Sequence, residues 1–256
     1  MVLTNPHNPL GLNYNKDLLE SIYTYVLEKT PLHIISDEIY CHSQVLGKYD
    51  EFISAFALNA YKIAPERVHV VWGFAKDFGL SGFKAGVILS RSPNVRRALR
   101  DQVNQKSMAW FSPFDALKHK MLGKVMHGDV RALMKAYQQR LTAAFAAVKR
   151  SLDSAPTVAH IQLGNPAQFF WLDLRKCLKS VPKDLGDYLF EEIDPSEEAL
   201  RSYIANDAGV FLLPGQTMHS AEPGFFRVCY TAVPTAEVTR AIERIKGSLA
   251  KLGCLN

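Results

Sequence analysis

The stretch VHVVWGFAKDFGLSGFKAG, residues 68–86, decides the fold. It opens with a continuous apolar run, Val68–Trp72, of the kind that is buried in parallel sheets. A glycine-rich turn, Gly79–Gly86, then leads to Val87–Ser90, which we predict to be an adjacent strand returning from the turn. Lys76 follows the buried strand directly, and open α/β sheets bind their ligands where strands end. Lys76 is therefore a candidate functional residue.

The segments before this stretch alternate between strand and helix patterns. Met1–Thr4 reads as the end of a strand, and the helix that follows is capped by Asn15. Leu32–Ser36 predicts a second buried strand, and a helix around Glu51–Ala60 leads to the VHVVW strand. This alternation predicts an α/β fold with a mostly parallel sheet and flanking helices. Since the chain opens at the end of a strand, we expect it to be N-terminally truncated.

The pattern changes after residue 127. We predict a long helix from Asp129 to about Leu152, of the kind that often bridges domains. A C-terminal α+β unit follows it, with strands at Val158–Leu163, Gln168–Asp173, Gly209–Leu213 and Phe226–Thr231 and helices at Glu197–Asn206 and from Ala236. We therefore expect two domains, 1–127 for the parallel sheet and 128–256 for the long helix and the smaller α+β domain.

Composition excludes several classes of protein. The hydrophobic share of 48% is enough for a packed core, and the net charge of +5 comes from scattered Lys and Arg without a basic stripe that would indicate nucleic acid. The sequence shows no membrane-length apolar run, so the cytoplasm is the expected compartment. Without C-x-x-C spacing we expect neither a zinc site nor disulfides, but reduced thiols at Cys41, Cys177, Cys229 and Cys254.

Four segments carry the candidate chemistry. They are TNPHNPLG at 4–11, SDEIY at 36–40, FAKDFGLSGFKAG at 74–86 and EPGFFRVCY at 222–230. Taken singly, each segment has a purely structural explanation. Asn8 can shape a turn, Asp37 can cap a loop, and Lys76 can be one exposed lysine among many. Arg227 can form an ion pair with a residue such as Glu222. Because the first three lie at or just after predicted strand ends, position and chemistry agree.

In this order the segments resemble the fold-type-I enzymes that use pyridoxal 5'-phosphate (PLP), the class I and II aminotransferase superfamily. The sequences of the motifs NPLG, DEIY, KDFGLSGF and EPGFFR look closest to those of the 1-aminocyclopropane-1-carboxylate synthases. The resemblance covers nearly the whole chain. It implies that residues 1–127 are the remainder of the PLP-binding large domain and that the C-terminal part is the small domain.

The resemblance also implies a role for each candidate residue. Lys76 matches the catalytic lysine that forms a Schiff base with PLP, and Asp37 matches the carboxylate that pairs with the pyridine nitrogen. Asn8 and Tyr40 match the groups that hydrogen-bond the ring hydroxyl. Arg227 matches the arginine that binds the substrate α-carboxylate with its planar fork.

The phosphate side departs from the family pattern. The family has hydroxyl residues where this chain has Gly73 and Ala75, and an arginine where it has Lys84. Lys84 still offers a positive charge but not a bidentate contact. The family segment that precedes NPxNPLG, with its phosphate loop and dimer contacts, is missing from these residues. The resemblance therefore implies weakened cofactor anchoring.

Two functions stay open at this point. The first is a PLP-dependent enzyme acting on amino acids through Schiff-base and quinonoid chemistry, either an aminotransferase or a synthase-like lyase. The second is a truncated, non-catalytic homologue that keeps the fold but binds PLP poorly. The expected partners are an amino-acid substrate and, if the missing segment is supplied, a second copy in a homodimer. No nucleic acid, membrane or metal is expected.

Overall fold

The computed structural model describes residues 1–47, 50–105, 116–154, 159–161, 167–182 and 189–254. Contacts between Cα atoms divide the chain into two compact units. The first unit comprises Met1–His7 and Leu12–Gln139, and the second comprises Asn8–Gly11 and Arg140–Asn256. The Asn-Pro-Leu-Gly turn therefore groups with the C-terminal half of the chain.

The first unit is built on a four-stranded sheet with strand order β1-β2-β3-β4. The first three strands are parallel, and β4 runs antiparallel to β3. This confirms the predicted mostly parallel sheet with flanking helices. The elements are β1 (Val2–Thr4), α1 (Lys16–Lys29), β2 (Ile34–Asp37), β3 (Val68–Gly73), α2 (Phe74–Asp77), β4 (Gly86–Ser90), α3 (Pro93–Gln105) and α4 (Ala116–His127).

Helix α1 covers part of this sheet with apolar side chains. Asn15 caps it as predicted, since its Oδ1 accepts a hydrogen bond from the Leu18 backbone N–H at 2.9 Å. One face of α1 is buried and packs against side chains of β2 and β3. This core contains Leu19, Tyr23, Val26, Leu27, Ile34, Val68 and Val70. Burial of each such side chain contributes about 1.5–3 kcal/mol, so this packing stabilises the helix against the sheet.

The helix predicted around Glu51–Ala60 is wrong. The structure has two short 3-10 turns there, Ala55–Ala57 and Ala60–Lys62. Side-chain carboxylates capture the backbone N–H groups that a helix would use: Glu38 accepts from Ala55 at 2.8 Å, and Glu20 accepts from Ala60 at 2.8 Å. Such contacts to distant side chains compete with helical hydrogen bonds and were not visible in the local sequence.

Strand β4 lies at an edge of the sheet and is exposed along its length. Among the described residues it pairs with β3 alone. Three consecutive apolar side chains on it are solvent-accessible, with exposed fractions of 39% for Val87, 48% for Ile88 and 46% for Leu89. An edge strand of this composition has backbone donors and acceptors free along one side.

Two histidines bridge β2 and β3 in this unit. His33 Nδ1 and His69 Nε2 lie 2.8 Å apart, and His69 Nδ1 lies 2.8 Å from the Ser90 hydroxyl. His69 is buried, with an exposed fraction of 5%. Its pKa is lowered, first by burial and then by the charge of His33. Burial and the neighbouring ring therefore both disfavour the charged form of His69.

The second unit contains an antiparallel sheet with strand order β5-β6-β8-β7, in agreement with the predicted α+β unit. Its elements are the C-terminal part of α5 (Val130–Asp153), β5 (Ala159–Ile161), β6 (Phe169–Asp173), α6 (Pro195–Ala208), β7 (Leu213–Pro214), β8 (Phe225–Cys229) and α7 (Thr235–Lys251). Of the predicted strand at 158–163, Val158, Gln162 and Leu163 lie outside the described residues.

The predicted strand Gly209–Leu213 is mostly wrong. Only Leu213 of it is in a strand, because Gly209 has a φ of 61° and ends helix α6 in the left-handed conformation. Glycine takes this conformation without the steric cost that other residues meet. Sequence periodicity alone could not separate such a helix end from the start of a strand.

Aromatic stacking anchors the core of the second unit. Phe145 of α5 stacks on Phe170 of β6 with ring centroids 5.2 Å apart. Tyr230 is fully buried beside them, and its hydroxyl donates to the Ala167 carbonyl at 2.5 Å. No helix within the described part of the chain is long and apolar enough to cross a membrane.

The expectation of four reduced thiols is wrong for one pair, since Cys177 and Cys254 form a disulfide. Cys177 lies in a 3-10 turn, Arg175–Cys177, and Cys254 follows α7. The fold brings their Cα atoms to 5.1 Å, within the range that a disulfide spans. A separation of 77 positions gave the sequence no signal for this pairing. Cys41 and Cys229 are free thiols.

Candidate active site

The carboxyl ends of β2 and β3 bring two candidate segments side by side. The strands are parallel neighbours, with Asp37 of β2 opposite Val71 of β3. DEIY therefore leaves the sheet next to the point where β3 turns into α2, which carries Lys76. Four of the predicted site residues belong to this first unit: Asp37, Tyr40, Lys76 and Lys84.

Lys76 and Tyr40 are in direct contact. The Lys76 amine lies 5.8 Å from the centroid of the Tyr40 ring, within the range in which a ring face attracts a cation. Tyr40 is buried, with an exposed fraction of 4%, whereas Lys76 is exposed. A fixed aromatic ring thus supports a lysine amine that remains accessible to a ligand.

The two neighbouring acids of SDEIY have different surroundings. Glu38 is buried, and its Oε1 accepts hydrogen bonds from the Ser54 hydroxyl at 3.1 Å and the Ala55 N–H at 2.8 Å. Asp37 is half-buried at the end of β2, where its Oδ1 accepts from the Ile39 N–H at 3.2 Å. Burial raises the pKa of Asp37. Glu38 therefore holds the fold, and Asp37 is the acid suited to face a cation.

Packing explains one of the departures on the phosphate side. A Cβ atom added to Gly73 would lie 3.2 Å from the Ala85 carbonyl oxygen and 3.3 Å from Ile39 Cδ1, closer than most real contacts. A serine at this position would therefore require its neighbours to move. Ala75 is half-buried, and Lys84 is exposed with a φ of 51°.

Asp77 is a residue that the sequence reasoning missed. Its carboxylate is buried, with an exposed fraction of 3%, although it directly follows the exposed lysine. It accepts hydrogen bonds from the Ser43 hydroxyl at 2.7 Å, the His42 N–H at 3.0 Å, Trp72 Nε1 at 3.2 Å and the Cys41 thiol at 3.6 Å. The acidic residue after the lysine was the available signal, but three of its four partners come from another segment.

In the second unit, the structure brings Asn8 and Arg227 together. Arg227 Nη1 donates to Asn8 Oδ1 at 2.9 Å, and the guanidinium lies 4.6 Å from the centroid of the Phe169 ring. Both residues are half-buried. Arg227 therefore has a polar partner and an aromatic support, which orient its planar fork.

The alternative ion pair between Arg227 and Glu222 is not formed. Glu222 pairs with Arg175 instead, at 2.6 Å. Arg175 also pairs with Asp173, through Nε at 2.9 Å and Nη2 at 2.7 Å. The glutamate of EPGFFR thus belongs to a separate, exposed cluster.

Glu197 of α6 fixes the start of β8. It is fully buried and accepts hydrogen bonds from the backbone N–H groups of Gln216 and Gly224. Gly224 has a φ of 96°, and a Cβ there would lie 2.8 Å from the Arg175 Cα atom. This glycine is therefore required for the chain to enter the strand that carries Arg227. Sequence reasoning missed Glu197 because it lies far from the motif in the chain.

The sequence model of the family described as "Aminotransferase class I and II" matches residues 1–245. The chain belongs to this family. The match includes every candidate residue, from Asn8 to Arg227. It agrees with the mixed sheet of the first unit and with the smaller antiparallel unit.

Similar relatives include 1-aminocyclopropane-1-carboxylate synthases from plants. CMW33 of Cucurbita maxima is 30% identical over 249 residues, covering 96% of this chain and 46% of the relative. Synthase 3 of Solanum lycopersicum is 31% identical over 253 residues, covering 96% of this chain and 49% of the relative. This aminotransferase-family chain therefore spans about half the length of the relatives it matches.

Solved structures of the same fold extend the comparison. An aromatic aminotransferase from Pyrococcus horikoshii superposes with a TM-score of 0.77 at 20% identity, covering 99% of this chain and 60% of that one. Cystalysin from Treponema denticola, which contains a pyridoxal 5'-phosphate cofactor, gives 0.70 at 20% identity, covering 98% and 57%. These likenesses establish the aminotransferase fold of this family member.

Proposed function

We propose that this chain forms the cofactor- and substrate-binding part of a PLP-dependent enzyme that acts on amino acids. The reaction is transamination or a lyase reaction of the 1-aminocyclopropane-1-carboxylate synthase type. The observation that carries the proposal is the Lys76 amine held 5.8 Å from the Tyr40 ring, at the carboxyl end of a parallel sheet. Asp37 ends the neighbouring strand at the same edge.

The donor set of the first unit fits the chemistry of PLP. The cofactor has an aldehyde that bonds an amine, a ring nitrogen that pairs with an acid, a ring hydroxyl and a phosphate. Lys76 offers the amine, Asp37 the acid, Tyr40 a hydroxyl and Lys84 a cation. When bound, PLP supplies an electron sink that stabilises negative charge on the substrate.

Each residue then has a definite task. Lys76 holds the cofactor and, once released by the substrate, moves a proton at the substrate α-carbon. Asp37 stabilises a protonated ring nitrogen; its pKa is raised by burial, and a cation beside it acts in the opposite direction. Tyr40 orients the lysine amine and the ring hydroxyl.

Arg227 and Asn8 are proposed to act on the substrate and the cofactor ring respectively. Arg227 binds the substrate α-carboxylate, a role suited to two parallel charged hydrogen bonds. Asn8 holds the guanidinium through Oδ1 at 2.9 Å, and its amide N–H groups are then the donors for the ring hydroxyl. We further propose that the whole protein acts as a homodimer, as the family resemblance implies, and that it is located in the cytoplasm.

A second candidate function is a homologue that keeps the fold but binds PLP weakly. The specific observation in its favour is the phosphate side, where Gly73 has no hydroxyl and its packing leaves little room for one. Charged hydrogen bonds contribute about 1.5–3 kcal/mol each, so the lack of two hydroxyl donors would reduce affinity considerably.

Borohydride reduction followed by mass spectrometry separates the two candidates. The purified chain is incubated with PLP, reduced, digested and searched for a pyridoxyl group. An adduct on Lys76, absent from Lys76→Arg, supports the enzyme. An adduct on another lysine with Lys76 unmodified contradicts the assignment. No adduct at PLP concentrations that label a known family member supports the weak-binding homologue.

A further inference from the structure

We propose that Asp77 is a positioning residue that sets where the Lys76 amine lies against Tyr40. It does so by tying α2, which carries the lysine, to the loop that follows the tyrosine. The inference rests on the proposed function of Lys76. It concerns a buried acid to which neither the sequence motifs nor the comparisons assign a task.

The first argument is the direction of the Asp77 side chain. Lys76 is exposed, whereas the next side chain is buried and reaches the loop Cys41–Ser43. That loop begins one residue after Tyr40. The shortest of its contacts is the hydrogen bond that the Ser43 hydroxyl donates to Oδ1 at 2.7 Å. The backbone of the lysine is thereby fixed to the backbone of the tyrosine.

The second argument is that hydrogen-bond donors surround the buried carboxylate of Asp77. Four neutral donors contact the Asp77 carboxylate: a hydroxyl, a backbone amide, an indole and a thiol. A buried carboxylate is tolerated only when its acceptors are used, and losing one donor is costly. An acid held from four directions defines a single arrangement of the segments around it.

The third argument is that the loop is also fixed on its other side. The Ser43 hydroxyl lies 2.9 Å from the Tyr137 hydroxyl, and Gln138 Nε2 donates to the His42 carbonyl at 3.3 Å. Both residues belong to the start of α5 within the first unit. Asp77 therefore connects α2 to a loop that is itself anchored, rather than to a loose segment.

A metal site is the competing use of these residues. The ligand atoms of Cys41, His42 and Asp77 lie within 4.8 Å of one another, so that a cation could be accommodated after small movements. However, both carboxylate oxygens of Asp77 already accept hydrogen bonds, Oδ1 from the Ser43 hydroxyl at 2.7 Å and Oδ2 from the His42 N–H at 3.0 Å. The hydrogen-bonding role is the one that the observed contacts favour.

The test compares matched pairs of variants of the full chain. Ser43→Ala removes a hydroxyl that donates to Asp77 without changing charge, and Ser54→Ala removes one that donates to Glu38. Asp77→Asn is matched by Glu20→Gln, since Glu20 also accepts backbone hydrogen bonds. Three quantities are measured: the thermal midpoint, amide exchange of the loop at 41–43, and pyridoxyl labelling of Lys76 after borohydride.

We expect Ser43→Ala and Asp77→Asn to speed exchange of the loop and to reduce Lys76 labelling by about tenfold, while the controls lower only the thermal midpoint. Equal labelling in Ser43→Ala and Ser54→Ala would overturn the positioning role. So would a rise of the thermal midpoint with zinc that Cys41→Ser abolishes, since Asp77 would then be a metal ligand.

Failure of the proposed function gives a different result. If the parent chain is labelled on a lysine other than 76, or not at all, the enzyme proposal fails. The positioning role of Asp77 is then tested by the rate at which a small reagent acetylates Lys76, relative to the rate at Lys62 as an internal reference. A relative acetylation rate that changes in Ser43→Ala but not in Ser54→Ala supports the positioning role, and an unchanged rate refutes it.

Discussion

Arg227 Nη1 donates a hydrogen bond to Asn8 Oδ1 across 2.9 Å, joining residues 219 positions apart. Because the amide oxygen accepts this bond, the amide nitrogen of Asn8 is the donor that remains for another partner. The same contact fixes one edge of the guanidinium, and we propose that its other N–H groups bind the substrate carboxylate. Two residues that the sequence could only place in separate motifs therefore orient each other.

Arg227→Lys is expected to raise KM for amino acids by more than tenfold in the PLP-loaded protein, with the cofactor absorbance unchanged. A lysine cannot make two parallel hydrogen bonds to a carboxylate while also contacting Asn8. Steady-state kinetics and the visible spectrum measure the two effects. Arg175→Lys is the matched control, since Arg175 pairs with Asp173 and Glu222. An unchanged KM, or loss of the cofactor absorbance, would contradict the carboxylate role.

Restoring phosphate donors should tighten PLP binding only where the structure has room for them. Ala75→Ser with Lys84→Arg is expected to lower the Kd for PLP at least tenfold, since each change adds a charged hydrogen bond to phosphate. Lys84 has a φ of 51°, and arginine meets the same backbone strain there. Fluorescence titration with PLP gives the Kd.

Gly73→Ser provides the comparison for that experiment. Its Cβ would lie 3.2 Å from the Ala85 carbonyl, so we expect a lower thermal midpoint and no gain in PLP affinity. If Gly73→Ser tightened binding and the double variant did not, the phosphate would be bound differently from our proposal.

The His33–His69 pair predicts a pH-dependent stability. The pKa of His69 is lowered from 6.5 in the folded chain by burial and by His33. The unfolded chain therefore binds a proton more readily, and stability present above pH 6.5 is lost as the pH falls through the folded pKa. Thermal midpoints at pH 8, 7, 6 and 5.5 should decline at the acid end. In His69→Asn the thermal midpoint should fall less at acid pH. If it fell as much as in the parent chain, a group other than His69 would cause the loss of stability.

The disulfide predicts a redox-dependent stability. Closing a loop of 77 residues is expected to contribute about 4 kcal/mol by restricting the unfolded chain. Urea unfolding with and without a phosphine reductant measures this contribution. Cys177→Ser should show the reduced stability under both conditions, whereas Cys229→Ser should behave as the parent does. Equal midpoints for the oxidised and reduced parent would show that the cross-link adds nothing.

The sequence predicted the elements whose signals are local. The apolar run Val68–Trp72 became β3, Asn15 capped α1, and the long helix predicted from Asp129 is α5. In the site, motif order placed Asp37 and Lys76 on neighbouring strand ends. These features depend on periodicity, capping and strand direction, which can be read from a single amino-acid sequence.

What the sequence could not predict depends on contacts between distant segments. The missed residues Asp77 and Glu197 act through loops far away in the chain, and the disulfide joins positions with no spacing signal. The wrong helix at 51–60 failed for the same reason, because Glu20 and Glu38 take its N–H groups. At 51–60, tertiary hydrogen bonds overrode the local preference for a helix.

The exposed edge strand β4 has a consequence for handling the chain in solution. Its apolar side chains and open backbone can add a strand from another molecule, and such addition needs no unfolding. We therefore expect self-association that increases with protein concentration even when the chain is fully folded. Charge offers only partial protection, because the net +5 is dispersed over the whole sequence rather than placed along this edge.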